Sequence, residues 1–142
     1  MAHAKYVYLN GEQVEWDNAK VHVASAAFKF GAAVFEGVRG YWNEEQEQMF
    51  LFRLDDHMRR LTFSQQFMRF AEIKDTEEIG RQTIDLVRAN HLRENIHIVS
   101  TTFVDGFGGP STTGPIGVSI TTGPWVGKPM LETGCAVQVS SW

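Results

Sequence analysis

The adjacent arginines in His57-Met58-Arg59-Arg60-Leu61 are the side chains of this sequence best suited to hold an anion. A guanidinium is planar and always charged, and it makes paired, charge-assisted hydrogen bonds that match a phosphate. Taken alone, the pair is equally well explained as part of a solvated helix face. A second set is aromatic. Phe30, Phe35 and Trp125 could wall a pocket, and an aliphatic side chain buried against them would gain ~1.5–3 kcal/mol. Core packing is the competing role for each. Arg39 either faces such a cavity or pairs with Glu36 or a sheet neighbour. His97 belongs to the residue type that changes charge near neutral pH, but a lone histidine in a strand is usually a hydrogen-bonded structural residue. Gly31 and Gly37 are expected where backbone must come close to something.

Several chemistries are excluded. The loop Asp105-Gly106-Phe107-Gly108-Gly109-Pro110 lacks the Gly-Lys-Ser/Thr ending of a phosphate-binding P-loop. The histidines at 3, 22, 57, 91 and 97 never fall three or four apart, and Cys135 is the single cysteine, so no metal-ligand spacing is present. No Gly-x-Ser-x-Gly nucleophile elbow occurs. A net charge of −4 argues against a nucleic-acid surface. No run approaches the ~20 apolar residues of a membrane helix. The N-terminus is too short and polar for a secretion signal. The lone cysteine fits a reducing compartment and reads as a small buried apolar residue. Cytoplasmic location follows as the expectation.

The elements that must position these residues can be read in outline. A chain of 142 residues suits one domain, and ten Phe with four Trp give it unusual aromatic weight. Residues 6–9, Asn10-Gly11 and residues 12–16 predict a β-hairpin, because Asn-Gly supplies the two positive-φ positions of a tight turn. Residues 34–41 and 47–52 predict paired strands around a polar turn at 43–46. A first helix starts near Asp55 or Asp56, either of which can cap it, with Met58, Leu61, Gln65 and Met68 inward. A second begins after Asp75-Thr76, with Ile79, Thr83, Leu86, Val87 and Asn90 on one stripe. Residues 96–104, 116–121 and 136–141 complete the strand set, with a long loop at 105–117. Strands in two groups around a helical pair predict an α+β layer.

Two linked segments carry a resemblance. The first is Lys20-Val21-His22-Val23-Ala24-Ser25-Ala26-Ala27-Phe28-Lys29-Phe30-Gly31-Ala32-Ala33-Val34-Phe35-Glu36-Gly37-Val38-Arg39-Gly40-Tyr41, and the second is Phe52-Arg53-Leu54-Asp55-Asp56-His57-Met58-Arg59-Arg60-Leu61. Together they resemble the N-terminal part of a class IV (fold type IV) pyridoxal-phosphate aminotransferase of the branched-chain amino acid kind, over residues 6–142. The resemblance implies an antiparallel sheet packed with two helices, a small domain at 1–124, and an interdomain loop from 125 to 142 leading toward the cofactor-binding domain. It assigns Arg60 to the cofactor phosphate, and Phe30, Phe35, Arg39, His97, Val99 and Trp125 to the substrate pocket. The loop Gly106-Phe107-Gly108 then reaches a neighbouring subunit, which implies a homodimer. The substrates implied are an apolar or branched-chain amino acid and a 2-oxo acid.

Two departures matter. The family usually carries Tyr-x-Arg where this chain reads His97-Ile98-Val99, and Val99 donates no hydrogen bond, which brings (R)-amine and D-amino acid transaminases forward as alternatives. The lysines stand at 5, 20, 29, 74 and 128, and none has the context of the family's Schiff-base lysine, expected beyond Ser140-Ser141-Trp142. The chain alone is therefore expected to be catalytically inactive and not to retain pyridoxal phosphate stably. A stand-alone domain that binds a ligand or partner is the reading from a different class. Aminodeoxychorismate lyase chemistry would need the same lysine.

Overall fold

Asn10 and Gly11 reverse the chain with φ of 53° and 89°. The strands on either side, β1 (Tyr6–Leu9) and β2 (Glu12–Glu15), pair antiparallel with Val7 opposite Val14. Two successive positive-φ residues match the right-handed twist of the flanking strands, which is why Asn-Gly closes so short a hairpin. The computed structural model describes residues 4–125, 127 and 130–139, without the side chains of 130 and 131. Lys128 and Ser140-Ser141-Trp142 lie outside the described residues.

The remaining strands are β3 (Ala33–Asn43), β4 (Gln48–Leu51), β5 (Ile96–Val104) and β6 (Ile116–Pro124). They join β1 and β2 in one six-stranded sheet of order β2-β1-β6-β5-β3-β4, antiparallel throughout. This is the expected α+β layer, but with one continuous sheet rather than two groups. β6 inserts beside β1, with Tyr8 opposite Ile120, and so joins the hairpin to the central strands.

Two helices, α2 (Leu54–Phe67) and α3 (Thr76–Asn90), cover one face of this sheet. Their apolar stripe meets the inward residues of the strands. Met58, Leu61, Ile79, Leu86 and Val87 pack with Val38, Ile96, Ile98 and Ile120 in one buried cluster. α3 starts at Thr76, one residue earlier than expected, and Asp75 caps it, accepting from the Glu77 N–H at 2.9 Å. The cap of α2 differs from expectation. Arg53 holds that position in the left-handed region (φ 53°) without a side-chain cap, and Leu54 already begins the helix. The chain enters α2 directly from β4, and the Phe52 N–H is still bonded to the Arg39 carbonyl. Asp56 instead binds the side chains of Arg53 and Arg59. Met68 lies beyond the helix end and is 41% exposed, so it leaves the predicted stripe.

Two further differences concern short segments. A helix not foreseen, α1 (Ala26–Phe30), is capped by Ser25, whose Oγ accepts from the Phe28 N–H at 3.3 Å. Gly31 ends it at φ 67° with nothing near its Cβ position. Its freedom of φ therefore matters, not the close approach anticipated. A last turn, α4, covers Met130–Thr133. Residues 136–139 are exposed and form no strand, because they pair with no sheet edge. No helix among the described residues is long and apolar enough to cross a membrane.

Candidate functional site

Side chains alternate along β3, and this alternation decides where each candidate group points. Glu36, Val38 and Gly40 face the helices and are buried, whereas Phe35 and Tyr41 face away and are 67% and 44% exposed. Glu36 and Arg39 are thus on opposite faces and are not the pair considered from the sequence.

Glu36 instead anchors a charged cluster against α2. Its carboxylate, 2% exposed, accepts from Arg60 Nε at 2.6 Å and from Arg60 Nη2 at 2.6 Å. It also bonds His57 Nδ1 at 2.8 Å. Burial pushes the Glu36 carboxyl up, but hydrogen bonds from Arg60 and His57 and the positive field of Arg60 outweigh it, so the group sits below its ordinary value. His57 and Arg60 are three residues apart on α2, which puts both on the face turned to β3. The Arg60 side chain is nevertheless 66% exposed. Its fork is fixed from behind by Glu36, and the N–H groups not spent there remain for an anion. That donor set fits one phosphate of a cofactor.

The other candidates gather on the uncovered face of the sheet. Arg39 stands opposite His97, Gly37 opposite Val99, and Phe35 opposite Thr101. The next strand continues the rows, with Gly123, Thr121 and Ser119 beside His97, Val99 and Thr101. The result is an open strip of sheet, here termed the trough, with Phe35 at one end and Arg39 at the other. Gly37 lies close to the neighbouring strand, as expected: a Cβ there would meet His97 Nε2 at 2.9 Å, and the exposed ring would have to turn aside. Trp125 closes the Arg39 end. Its backbone N–H donates to the Asn95 carbonyl at 2.8 Å, and the Arg39 guanidinium carbon lies 4.5 Å from the indole centroid.

Phe35, Arg39, His97, Val99 and Trp125 therefore share one face, while Arg60 lies on the helix side. Phe30 sits at the end of α1, 43% exposed, under the Lys29 ammonium at 5.0 Å. The loop with Gly106, Phe107 and Gly108 packs on α1, where the Ala26 N–H bonds the Gly106 carbonyl at 2.9 Å and Ser25 bridges Phe107. Phe107 itself is 66% exposed. No lysine stands among the trough residues on β3, β5 and β6. Lys5 lies over the Tyr6 ring and Lys74 pairs with Glu72. A cleft of about 720 Å³ opens on the far side, between β4 and the end of α3, and holds none of the predicted residues. Among the described residues no group of three His, Cys, Asp or Glu could hold a metal.

The residue that sequence reasoning missed is Glu36. Its neighbours in the chain were noticed, but its partners lie 21 and 24 positions away on another element. The inward phase of β3 was the available signal.

Comparison with known proteins adds the following. No protein-family model matches the chain. The branched-chain-amino-acid aminotransferase of Escherichia coli K12 is 37% identical over 146 residues, covering 98% of this chain and 46% of that protein. The enzyme of the same name from Salmonella typhimurium LT2 is 35% identical over 145 residues, again 98% of this chain and 46% of that protein. The chain spans about half the length of the curated relatives it matches. Among solved structures, the branched-chain amino acid aminotransferase of Thermobaculum terrenum in its PLP-form superposes with a TM-score of 0.79 at 37% identity, over 92% of this chain and 42% of that one. The branched-chain aminotransferase of the archaeon Thermoproteus uzoniensis with norvaline superposes at 0.80 with 32% identity, over 87% of this chain and 41% of that one.

Proposed function

This chain belongs to the fold type IV aminotransferases and corresponds to their N-terminal domain, and on that premise we propose that it serves a pyridoxal-phosphate transaminase. The reaction moves an amino group between an apolar, branched-chain amino acid and a 2-oxo acid. The observation that carries this reading is the Arg60 guanidinium, exposed at its tip and locked from behind by a buried carboxylate. When bound, pyridoxal phosphate supplies an electron sink for charge left at the substrate's Cα. Arg60 holds the phosphate, Glu36 and His57 set the Arg60 rotamer, and Phe35 and Phe30 give the substrate side chain an apolar wall. The domain runs over residues 1–124, with 125–142 leading out of it. Support for that boundary is the end of β6 at Pro124.

Transamination also needs a lysine to shuttle a proton, and the trough offers none. The chain by itself is inactive and holds the cofactor only weakly in this reading. Exposed Phe107 on a loop braced by α1 supports a subunit contact and hence a homodimer, and the cytoplasm is the proposed location. One observation favours a second reading, an (R)-amine or D-amino acid transaminase: Val99, in the middle row of the trough, offers no donor.

The test is a ³¹P titration of pyridoxal 5′-phosphate with the chain. The phosphorus signal should shift on adding wild-type protein, stay unchanged with Arg60→Gln, and shift normally with Arg59→Gln. An equal shift with Arg60→Gln refutes the phosphate role.

A further inference from the structure

The two free edges of the sheet, β2 and β4, are finished differently. β2 reads Glu12-Gln13-Val14-Glu15, with a carboxylate at each end, and charged side chains keep an edge from pairing with another strand. β4 reads Gln48-Met49-Phe50-Leu51 and carries no charge. Phe50 lies opposite Tyr41, turns its ring to the open face and is 46% exposed. Opposite charges bracket the strand. Glu47 precedes it and Arg53 follows it, and both leave the extended conformation, at φ of 46° and 53°.

The direction of the backbone groups on β4 follows from its pairing with β3. The Phe52 N–H donates to the Arg39 carbonyl at 2.8 Å. Bonded and non-bonded pairs alternate along an antiparallel ladder, so Phe50 opposite Tyr41 and Gln48 opposite Asn43 are the bonded pairs. Met49 and Leu51 therefore aim their N–H and C=O groups away from β3, at the free edge. Neither N–H has a hydrogen-bond partner among the described residues. Residues 47–51 all line the cleft of about 720 Å³, in both phases of the strand, so this edge opens onto the cleft and not onto packed protein.

We infer that β4 is a self-association edge, which pairs antiparallel with β4 of a second copy of this chain about a twofold axis at Phe50. This register alone uses both outward residues: Met49 exchanges hydrogen bonds with Leu51 of the second copy, and Leu51 with its Met49. An axis at Met49 would set Leu51 against Glu47, and an axis at Leu51 would set Met49 against Arg53, where the backbone is no longer extended. The same register brings Glu47 of each copy opposite Arg53 of the other. It also makes Phe50 face its own symmetry mate in a non-bonded pair, where Cα atoms approach to ~4.5 Å and side chains are closest. The rings of Tyr41 and Phe50 from both copies then form one row across the joined sheets, and such cross-strand aromatic pairs stabilise an antiparallel sheet. On the helix side, Leu51 of the second copy lies beside Met49 and extends the apolar lining of the cleft. Glu47 and Arg53 already have exposed partners in their own chain, Arg93 at 3.8 Å and Asp56 at 2.5 Å. Exposed pairs are weak, so the charges across the axis select the register more than they add affinity. This contact is separate from the one proposed at Phe107 and does not rest on the transaminase reading.

A four-residue edge makes a small interface, so weak, reversible association is expected. The experiment is sedimentation equilibrium of the full chain from ~10 µM to ~1 mM, in wild type and in Phe107→Ser, which removes the other proposed contact. Concentration-dependent dimers should persist in Phe107→Ser. In that background Phe50→Lys, which sets like charges face to face at the axis, should weaken them at least ~10-fold. Glu47→Arg and Arg53→Glu should each weaken self-association, and mixing these two variants should restore it, because each then meets the opposite charge at both ends of the strand. Circular dichroism reports whether each variant is folded. In hydrogen exchange, the Met49 and Leu51 amides should slow with rising concentration while those of β2 do not. A Phe107→Ser chain that stays monomeric at every concentration would overturn the inference. So would dimers that Phe50→Lys leaves intact, a mixture of the charge variants that associates no better than either alone, or protection that appears on β2 and not on β4.

Discussion

The two faces of the sheet use the same strands for opposite purposes. On the helix side, Glu36 is buried and its charge is answered by Arg60 and His57, and the apolar residues around it form the core. On the other side, one residue away in the chain, Phe35 lies 67% exposed and an Arg39 N–H has no acceptor among the described residues. A folded domain gains stability from satisfied groups. It retains exposed aromatics and unsatisfied donors where something else is to bind. In the proposed reading stability belongs to the helix face, where Arg60 also lies, and recognition to the open face.

Substitutions can break this division, beginning where the loss is greatest. Leu61→Ala, at a fully buried position between α2 and the sheet, should cost ~2–5 kcal/mol in urea unfolding. Gly40→Ala should cost ~1–3 kcal/mol, because its Cβ would meet Ile96 Cγ1 at 2.5 Å and Met49 Sδ at 2.9 Å. Glu36→Gln should cost ~1–3 kcal/mol near neutral pH through its bonds to charged groups.

That last variant also tests the electrostatics. The Glu36 carboxyl is held below its ordinary 4.5 in the folded chain. Between that value and the folded one, the unfolded chain binds the proton first, so stability falls as pH falls through this window. Above it the contribution is complete. Thermal midpoints recorded from pH 7 downward should decline more steeply below about 4.5 in wild type than in Glu36→Gln, and parallel curves would show that Glu36 is not the group responsible. The smallest effect is expected on the open face. Phe35→Ala should change stability by no more than ~0.5 kcal/mol, and a loss as large as that of Leu61→Ala would erase the distinction between the faces.

Much of the frame was legible because its signals are local. Asn10-Gly11 defines a hairpin within two residues, and Asp75 ahead of Glu77 and Glu78 marks the start of α3 within one turn. The alternation along β3 puts Phe35 and Glu36 on opposite faces, but which face the helices cover was not readable, so Phe35 stood between core and pocket. The rest depends on contacts between distant parts of the chain. α1 has five residues, too few for a helical period to show. The start of α2 depends on how β4 leaves the sheet, so Arg53 displaced the better capping residues Asp55 and Asp56. Placing β6 between β1 and β5 required knowing which edges were free. For the site, the His57-x-x-Arg60 spacing could be read, but its anchor Glu36 could not, and neither could the stacking of Arg39 on Trp125 across the sheet.

The central claim is that this chain contributes a phosphate grip and a substrate wall but not the lysine of the reaction. It is tested most directly by borohydride reduction in the presence of pyridoxal phosphate, followed by intact mass and peptide mapping. The account predicts no stoichiometric adduct on any single lysine. One full equivalent of reduced cofactor on one lysine would contradict it and place complete Schiff-base chemistry within this chain.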